Sequence, residues 1–133
     1  MSTFVAEVTE IEACDSLHIV RFDLYGQRLS MMSLDIDADI NIGTKVKLGV
    51  KPSHIAIAKK FSGDVSYSNQ LVCSIKSIEN GKLLSSIKLS FYDTVLESII
   101  TAKSSLKMNL QVGDMVTAFI KASELSIVEV LDD

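Results

Sequence analysis

The chain has no tryptophan, a single proline, two cysteines and two histidines among its 133 residues, and aromatic residues make up only 6%. Each shortage excludes something. Cys14 and Cys73 stand alone, outside any CxxC pair and away from His or Asp clusters. That argues against a zinc site or a redox dithiol and for buried, reduced thiols. The six glycines fall in neither a GxGxxG nor a GxxxxGK pattern, so no phosphate-cradling loop is present. No apolar run is long enough to cross a bilayer, and no charged-then-apolar leader opens the chain. This is the pattern expected of a soluble, cytoplasmic chain. Basic charge is also scarce. Thirteen Lys/Arg face seventeen Asp/Glu, a net charge of −4. The first 60 residues carry seven against eight and the rest six against nine, with no basic run in either half. Nucleic-acid binding needs clustered positive charge, and single-strand binding needs aromatic platforms as well, so direct nucleic-acid contact is disfavoured.

What is present is a repeat. Gly43–Ile57 laid over Gly113–Ile127, a shift of 70, gives five identities in fifteen positions. They are Gly43/Gly113, Val46/Val116, Lys51/Lys121, Ser53/Ser123 and Ile57/Ile127. Upstream the shift is 67, and Phe4, Val8, Ile11, Val20, Phe22 and Leu29 meet Leu71, Ile75, Ile78, Ile87, Leu89 and Leu96. Two copies of one small module follow. The first spans residues 1–60, the second 70–133, and 61–69 is a Ser- and Gly-bearing linker. The second copy has three extra residues before its Gly113. Modules of about sixty residues bury marginal cores alone, so docking or oligomerisation is expected to complete them.

Within each copy the pattern is strand-like. Val20, Phe22 and Leu24 alternate with polar residues, as do Ile87, Leu89 and Phe91, and Val46, Leu48 and Val50. Turn residues separate the runs, and Asn80-Gly81 reads as the clearest hairpin, both residues tolerating positive φ. Ala102–Met108 is the one stretch with helical character. The expectation is all-β: two tandem OB-like five-stranded Greek-key barrels, each with a short helical turn before strand four.

Lys51 and Lys121 follow the core-facing positions of their strands, so each leaves its barrel on the outer face, a face that Phe119 shares. A Lys, a small residue and a Ser recur there in both copies. Ser66, Ser68, Thr101, Ser104, Ser105 and Ser123 add hydroxyls near strand ends of copy two. Hydroxyls, backbone N–H groups and one Lys without carboxylates suit a small oxyanion, which only accepts hydrogen bonds and needs one compensating charge. No catalytic constellation and no cationic metal site is evident, so the chain reads as a binder rather than an enzyme. His54 occupies the repeat position of Glu124, an exposed edge, and is expected to be solvated. Phe119 outside its barrel calls for an intersubunit surface.

The second copy resembles the molybdate-binding Mop module of the wider TOBE group. The likeness rests on Ser68-Asn69-Gln70-Leu71, Ile78-Glu79-Asn80-Gly81, Ile100-Thr101 with Ser104, and Ile120-Lys121-Ala122-Ser123. Val50-Lys51-Pro52-Ser53-His54 in the first copy is closer to the TOBE modules of importer ATPases. The tandem is similar to cytosolic di-domain molbindins and to the effector half of molybdate-responsive transcription regulators. The resemblance implies an OB-like fold, homo-oligomers such as trimers, and molybdate or tungstate as bound ligand, with no catalytic cofactor. It implies intracellular storage or homeostasis, with ligand sensing for a transcription regulator or importer as the alternative. It implies oxyanion-binding roles for Ser66, Thr101, Ser104, Lys121, the Ala122 N–H and Ser123, and for Lys51 and Ser53 in the first copy. Ser68 stands where the family has Arg, which removes one cationic donor. Pro52 stands where Ala122 stands and has no N–H to give, so the two copies are expected to bind unequally.

Overall fold

A computed structural model describes residues 1–131; residues 132–133, the end of the second module as delimited above, lie outside the described residues. The first copy supplies β1 (Ser2–Cys14), β2 (Leu17–Leu24), β3 (Gln27–Ser33), β4 (Lys45–Val50) and β5 (Ala56–Ala58). The second supplies β6 (Asn69–Asn80), β7 (Leu84–Phe91), β8 (Thr94–Thr101), a helix α1 (Ala102–Lys107), β9 (Met115–Ile120) and β10 (Ser126–Leu131). A single 3-10 turn follows β4 at Pro52–His54, and its counterpart follows β9 at Ala122–Glu124.

Period-two burial builds both sheets. Ser2, Phe4, Ala6 and Val8 of β1 point inward while Thr3, Val5 and Glu7 point out. Val20, Phe22, Leu29, Val46 and Leu48 form one fully buried centre; Leu71, Ile87, Leu89, Leu96, Ala118 and Ile120 form the other. Each such large side chain contributes about 1.5–3 kcal/mol relative to exposure. The long first strand of each copy pairs with two neighbours and carries a bulge between them, at Val8/Glu10 and at Ile75/Ser77. The bend lets one strand serve both sides of a barrel. The repeated glycine explains itself here. Gly43 (φ +94°) and Gly113 (φ +92°) donate N–H to Val8 and Ile75 carbonyls at 2.7 and 2.8 Å, locking the entry to the fourth strand. A side chain would strain that backbone.

The architecture is that of two OB-like antiparallel barrels, but they are not closed copy by copy. One sheet runs β10-β4-β1-β2-β3 and the other β5-β9-β6-β7-β8. The fifth strands are exchanged. Ser126–Leu131 pairs with β4 of the first copy, and Ala56–Ala58 pairs with β9 of the second. The expectation that each copy supplies all five of its own strands is corrected. The 3-10 turn after strand four carries the chain across to the other barrel before it can fold back. Sequence periodicity marks a strand, not its partner.

Four smaller expectations are also corrected. The β6–β7 connection is Gly81–Leu83, closed by Gly81 N–H to the Leu84 carbonyl at 2.7 Å, and neither Asn80 nor Gly81 has positive φ. The left-handed residues at hairpin tips are instead Asp15, Tyr25 and Tyr92. Phe119 is buried, capped by Tyr67 stacked at 5.1 Å and by Phe61 edge-on at 5.1 Å. The linker of the same chain covers it, so it presents no surface to a second subunit. Cys14 is exposed at the end of β1, while burial pushes the Cys73 thiol up to about 12. Only α1, capped by Thr101, realises the helical turn; the shorter first copy crosses the same gap in turns.

Candidate functional site

Strand exchange brings equivalent positions of the repeat face to face. The two 3-10 turns meet, and His54 Nδ1 lies 2.8 Å from Glu124 Oε2. Both side chains are about one-third exposed, so the expectation of a solvated His54 is corrected. Two cavities flank this pair. One, of about 200 Å³, is lined by Lys51 and Ser123 with Met1 and Ser126. The other, of about 310 Å³, is lined by Lys121 and Ser53 with Tyr67, Ile99 and Ile100. His54 and Glu124 border both. Each cavity thus takes its lysine from one copy and its serine from the other.

The local cause is the turn itself. Lys51 and Lys121 adopt extended backbone (φ −72° and −66°) immediately before the 3-10 turn. The Lys side chain stays at the end of its own barrel while the Ser two residues on has been carried toward the other. Pro52 starts the first turn, a position that needs no N–H. Ala122 holds the equivalent place in the second. The second barrel's first strand and the first barrel's third are clamped nearby. Asn69, fully buried, accepts from Ser30 N–H at 2.7 Å and donates to the Ser30 carbonyl at 2.9 Å. Ser2, its counterpart, accepts from Glu97 N–H at 2.9 Å. These bonds tie β6 to β3 and β1 to β8, one barrel to the other.

The remaining anticipated residues lie elsewhere. Thr101 caps α1, its hydroxyl 2.9 Å from Ser104 Oγ and accepting from Ser104 N–H at 3.2 Å. Neither residue lines the Lys51 or the Lys121 cavity, although Ile100, next to Thr101, lines the latter. Ser66 is exposed in the linker. Ser105 is buried and donates to Asn80 Oδ1 at 3.3 Å, a structural tie from α1 to β6. A third cavity, about 420 Å³, is larger than either. It is lined by Asp35, Asp37 and Glu129 with Met31, Ile36 and Ser123 and has no lysine. Its carboxylates oppose a dianion, so volume does not decide the site; charge does. No cluster of three or more metal-ligating side chains occurs among the described residues.

The repeated Lys-x-Ser marks the lysines and serines that line the two cavities, but not His54, Glu124 and Tyr67 beside them or the Asn69 clamp. One signal existed: positions 54 and 124 are equivalent in the repeat and carry side chains able to pair.

Residues 66–127 match the TOBE domain model. The cytoplasmic molybdate-binding protein ModG, solved with molybdate bound, has the same fold at TM-score 0.85 and 22% identity, over 94% of this chain and 93% of that one. A molybdate-binding protein from Sporomusa ovata is 34% identical over 53% of this chain and 100% of that one, at TM-score 0.47. No curated protein matches the chain.

Proposed function

We propose that this chain, a member of the TOBE domain family, binds molybdate or tungstate inside the cell for storage or homeostasis and catalyses no reaction. The observation that carries the reading is the pair of lysine-and-serine cavities flanking His54 and Glu124. A tetrahedral dianion accepts hydrogen bonds on every side and needs cationic compensation; one cavity offers Lys51 with Ser123 and Ser126, the other Lys121 with Ser53. The full-length likeness in fold to molybdate-bound ModG supports the same ligand. Lys121 and Ser53 form one composite site in this reading, and Lys51 and Ser123 the other. Thr101, Ser104, Ser66 and the Ala122 N–H would complete sites only with help from another subunit.

Such help fits a homotrimer. Exposed apolar side chains recur at equivalent positions of the two copies: Val5 and Val72, Leu17 and Leu84, Tyr25 and Tyr92, Ile42 and Val112. Apolar exposure repeated in register on both barrels supports a self-association surface. The number three comes from the family resemblance, and light scattering tests it. Trimer mass is expected at micromolar concentration; a monomer would refute the assembly.

Calorimetric titration of ligand-stripped protein with molybdate, tungstate, sulfate and phosphate tests the binding. Heat with the first two and little with the others is expected. No heat and no thermal shift with molybdate or tungstate would refute the reading.

A further inference from the structure

Among the described residues, His54 and Glu124 form the one ion pair that borders both the Lys51 and the Lys121 cavity. We infer that His54, its Nδ1 committed to Glu124, is an anion-binding residue on the boundary of both composite cavities, its Nε2–H serving an anion in one and its charge acting on both, and that Glu124 is the positioning residue that holds it there. The inference rests on the oxyanion reading above and assigns the regulation of that site. Lys51 stands on one side of the pair and Lys121 on the other, so the pair occupies the boundary between two anion positions.

The charge of the boundary depends on one proton. With His54 neutral, the Glu124 carboxylate leaves a full negative charge between the cavities and works against both lysines. With His54 protonated, the pair is neutral overall and the imidazolium adds a donor that a dianion can use. Other charged and titratable groups stand near the pair. Tyr67 borders the Lys121 cavity and Met1 the Lys51 cavity. On β8, packed against the first 3-10 turn, Glu97 is engaged by Ser86 Oγ at 2.5 Å. On β3, packed against the second turn, the charged residue is Arg28, opposite Asp23 in the β2 register. Anion binding is therefore coupled to proton uptake at the pair.

The experiment is calorimetric titration of the full chain with molybdate between pH 6 and pH 8, repeated in buffers of different ionisation enthalpy, on the unsubstituted protein, His54→Gln and Glu124→Gln. A single linked proton changes affinity by at most about tenfold per pH unit. The unsubstituted chain is expected to bind more tightly at pH 6 than at pH 8, with up to one proton taken up per linked event. His54→Gln is expected to abolish both the pH slope and the proton uptake. Glu124→Gln is expected to tighten binding at pH 8. Tight, pH-independent binding by the unsubstituted chain, or an unchanged slope in His54→Gln, would overturn the inference and leave the oxyanion reading standing. Absence of molybdate binding at every pH would overturn that reading and the inference with it.

Discussion

Tyr25 stacks on Tyr92, its own counterpart in the repeat, with ring centroids 4.9 Å apart and planes 21° from parallel. Both residues are left-handed hairpin tips, φ +51° and +52°. At His54 and Glu124 a second pair of equivalent positions meets. Two self-pairings of this kind define a pseudo-two-fold axis through the molecule. Duplication therefore produced a symmetric pair of barrels rather than beads on a string. Strand exchange across that axis is what gives each cavity residues of both copies.

The tyrosine stack should be measurable as coupling. In a double-mutant cycle, Tyr25→Ala and Tyr92→Ala keep a side chain on a strained backbone in both states, so that strain cancels. An aromatic pair of this kind is worth about 0.5–1.5 kcal/mol beyond its buried area. Urea unfolding of the four proteins is expected to show a coupling of that size. Strict additivity would mean that the rings meet without holding the barrels together.

Asn69 and Ser2 sit at equivalent places but carry unequal weight. Asn69→Ala strips partners from both the N–H and the carbonyl of Ser30, in a fully buried position. Each buried group left unpaired costs about 1–3 kcal/mol. Ser2→Ala removes one bond to Glu97 N–H. Chemical denaturation is expected to place Asn69→Ala at least about 1 kcal/mol below Ser2→Ala. Equal losses would contradict the clamp.

How much of this was legible beforehand follows from which forces leave a trace in sequence. Alternation of Val20, Phe22 and Leu24, and of Ile87, Leu89 and Phe91, marked the strands because burial acts on each residue separately. The match of Gly43 with Gly113 marked the turn because φ near +93° restricts the residue at that point. The destination of β5 and β10 was not legible. Ala56–Ala58 has the same local pattern whichever barrel it joins, and only the path of the Pro52–His54 turn selects one. The Lys121–Ser53 juxtaposition depends on that choice, so a reading of the repeat groups each lysine with the serine of its own copy, whereas the cavities group it with the serine of the other. Phe119 was misjudged for a related reason: Phe61 and Tyr67, which cover it, lie in a linker with no periodicity.

Acid should loosen the linker end of the structure first. Lys59 Nζ bonds Asp114 at 3.1 Å and the carbonyls of Met108 and Asn109 at 3.2 and 2.8 Å. The Lys59 bond, with the Gln111 N–H, holds the Asp114 carboxyl below its ordinary 3.8. A carboxyl lowered on folding contributes stability that is present above its unfolded value and is lost as pH falls through the folded one. Asp114→Asn is therefore expected to be less stable than the unsubstituted chain at neutral pH, with the gap closing below pH 3.8. Urea midpoints across that range check it. A gap that persists unchanged in acid would assign the loss to packing instead.

The crossed composition of the cavities makes the sharpest claim about binding. The Lys121 cavity keeps its lysine in the second copy but takes its serine, Ser53, from the first. The Lys51 cavity takes Ser123 from the second. A hydrogen bond to a charged group is worth about 1.5–3 kcal/mol, so losing one donor weakens a site by about tenfold to a hundredfold. Lys121→Ala is expected to remove the tighter class of molybdate sites and Lys51→Ala to spare it, because Ala122 has an N–H to offer a site completed by another subunit and Pro52 has none. Ser53→Ala is then expected to weaken the same class as Lys121→Ala. The double substitution should lose less than the sum of the two, since both act on one site. Ser123→Ala should instead track Lys51→Ala. If calorimetry pairs Ser123 with Lys121 and leaves Ser53 additive, the sites are built within copies, and the strand exchange has no bearing on the ligand.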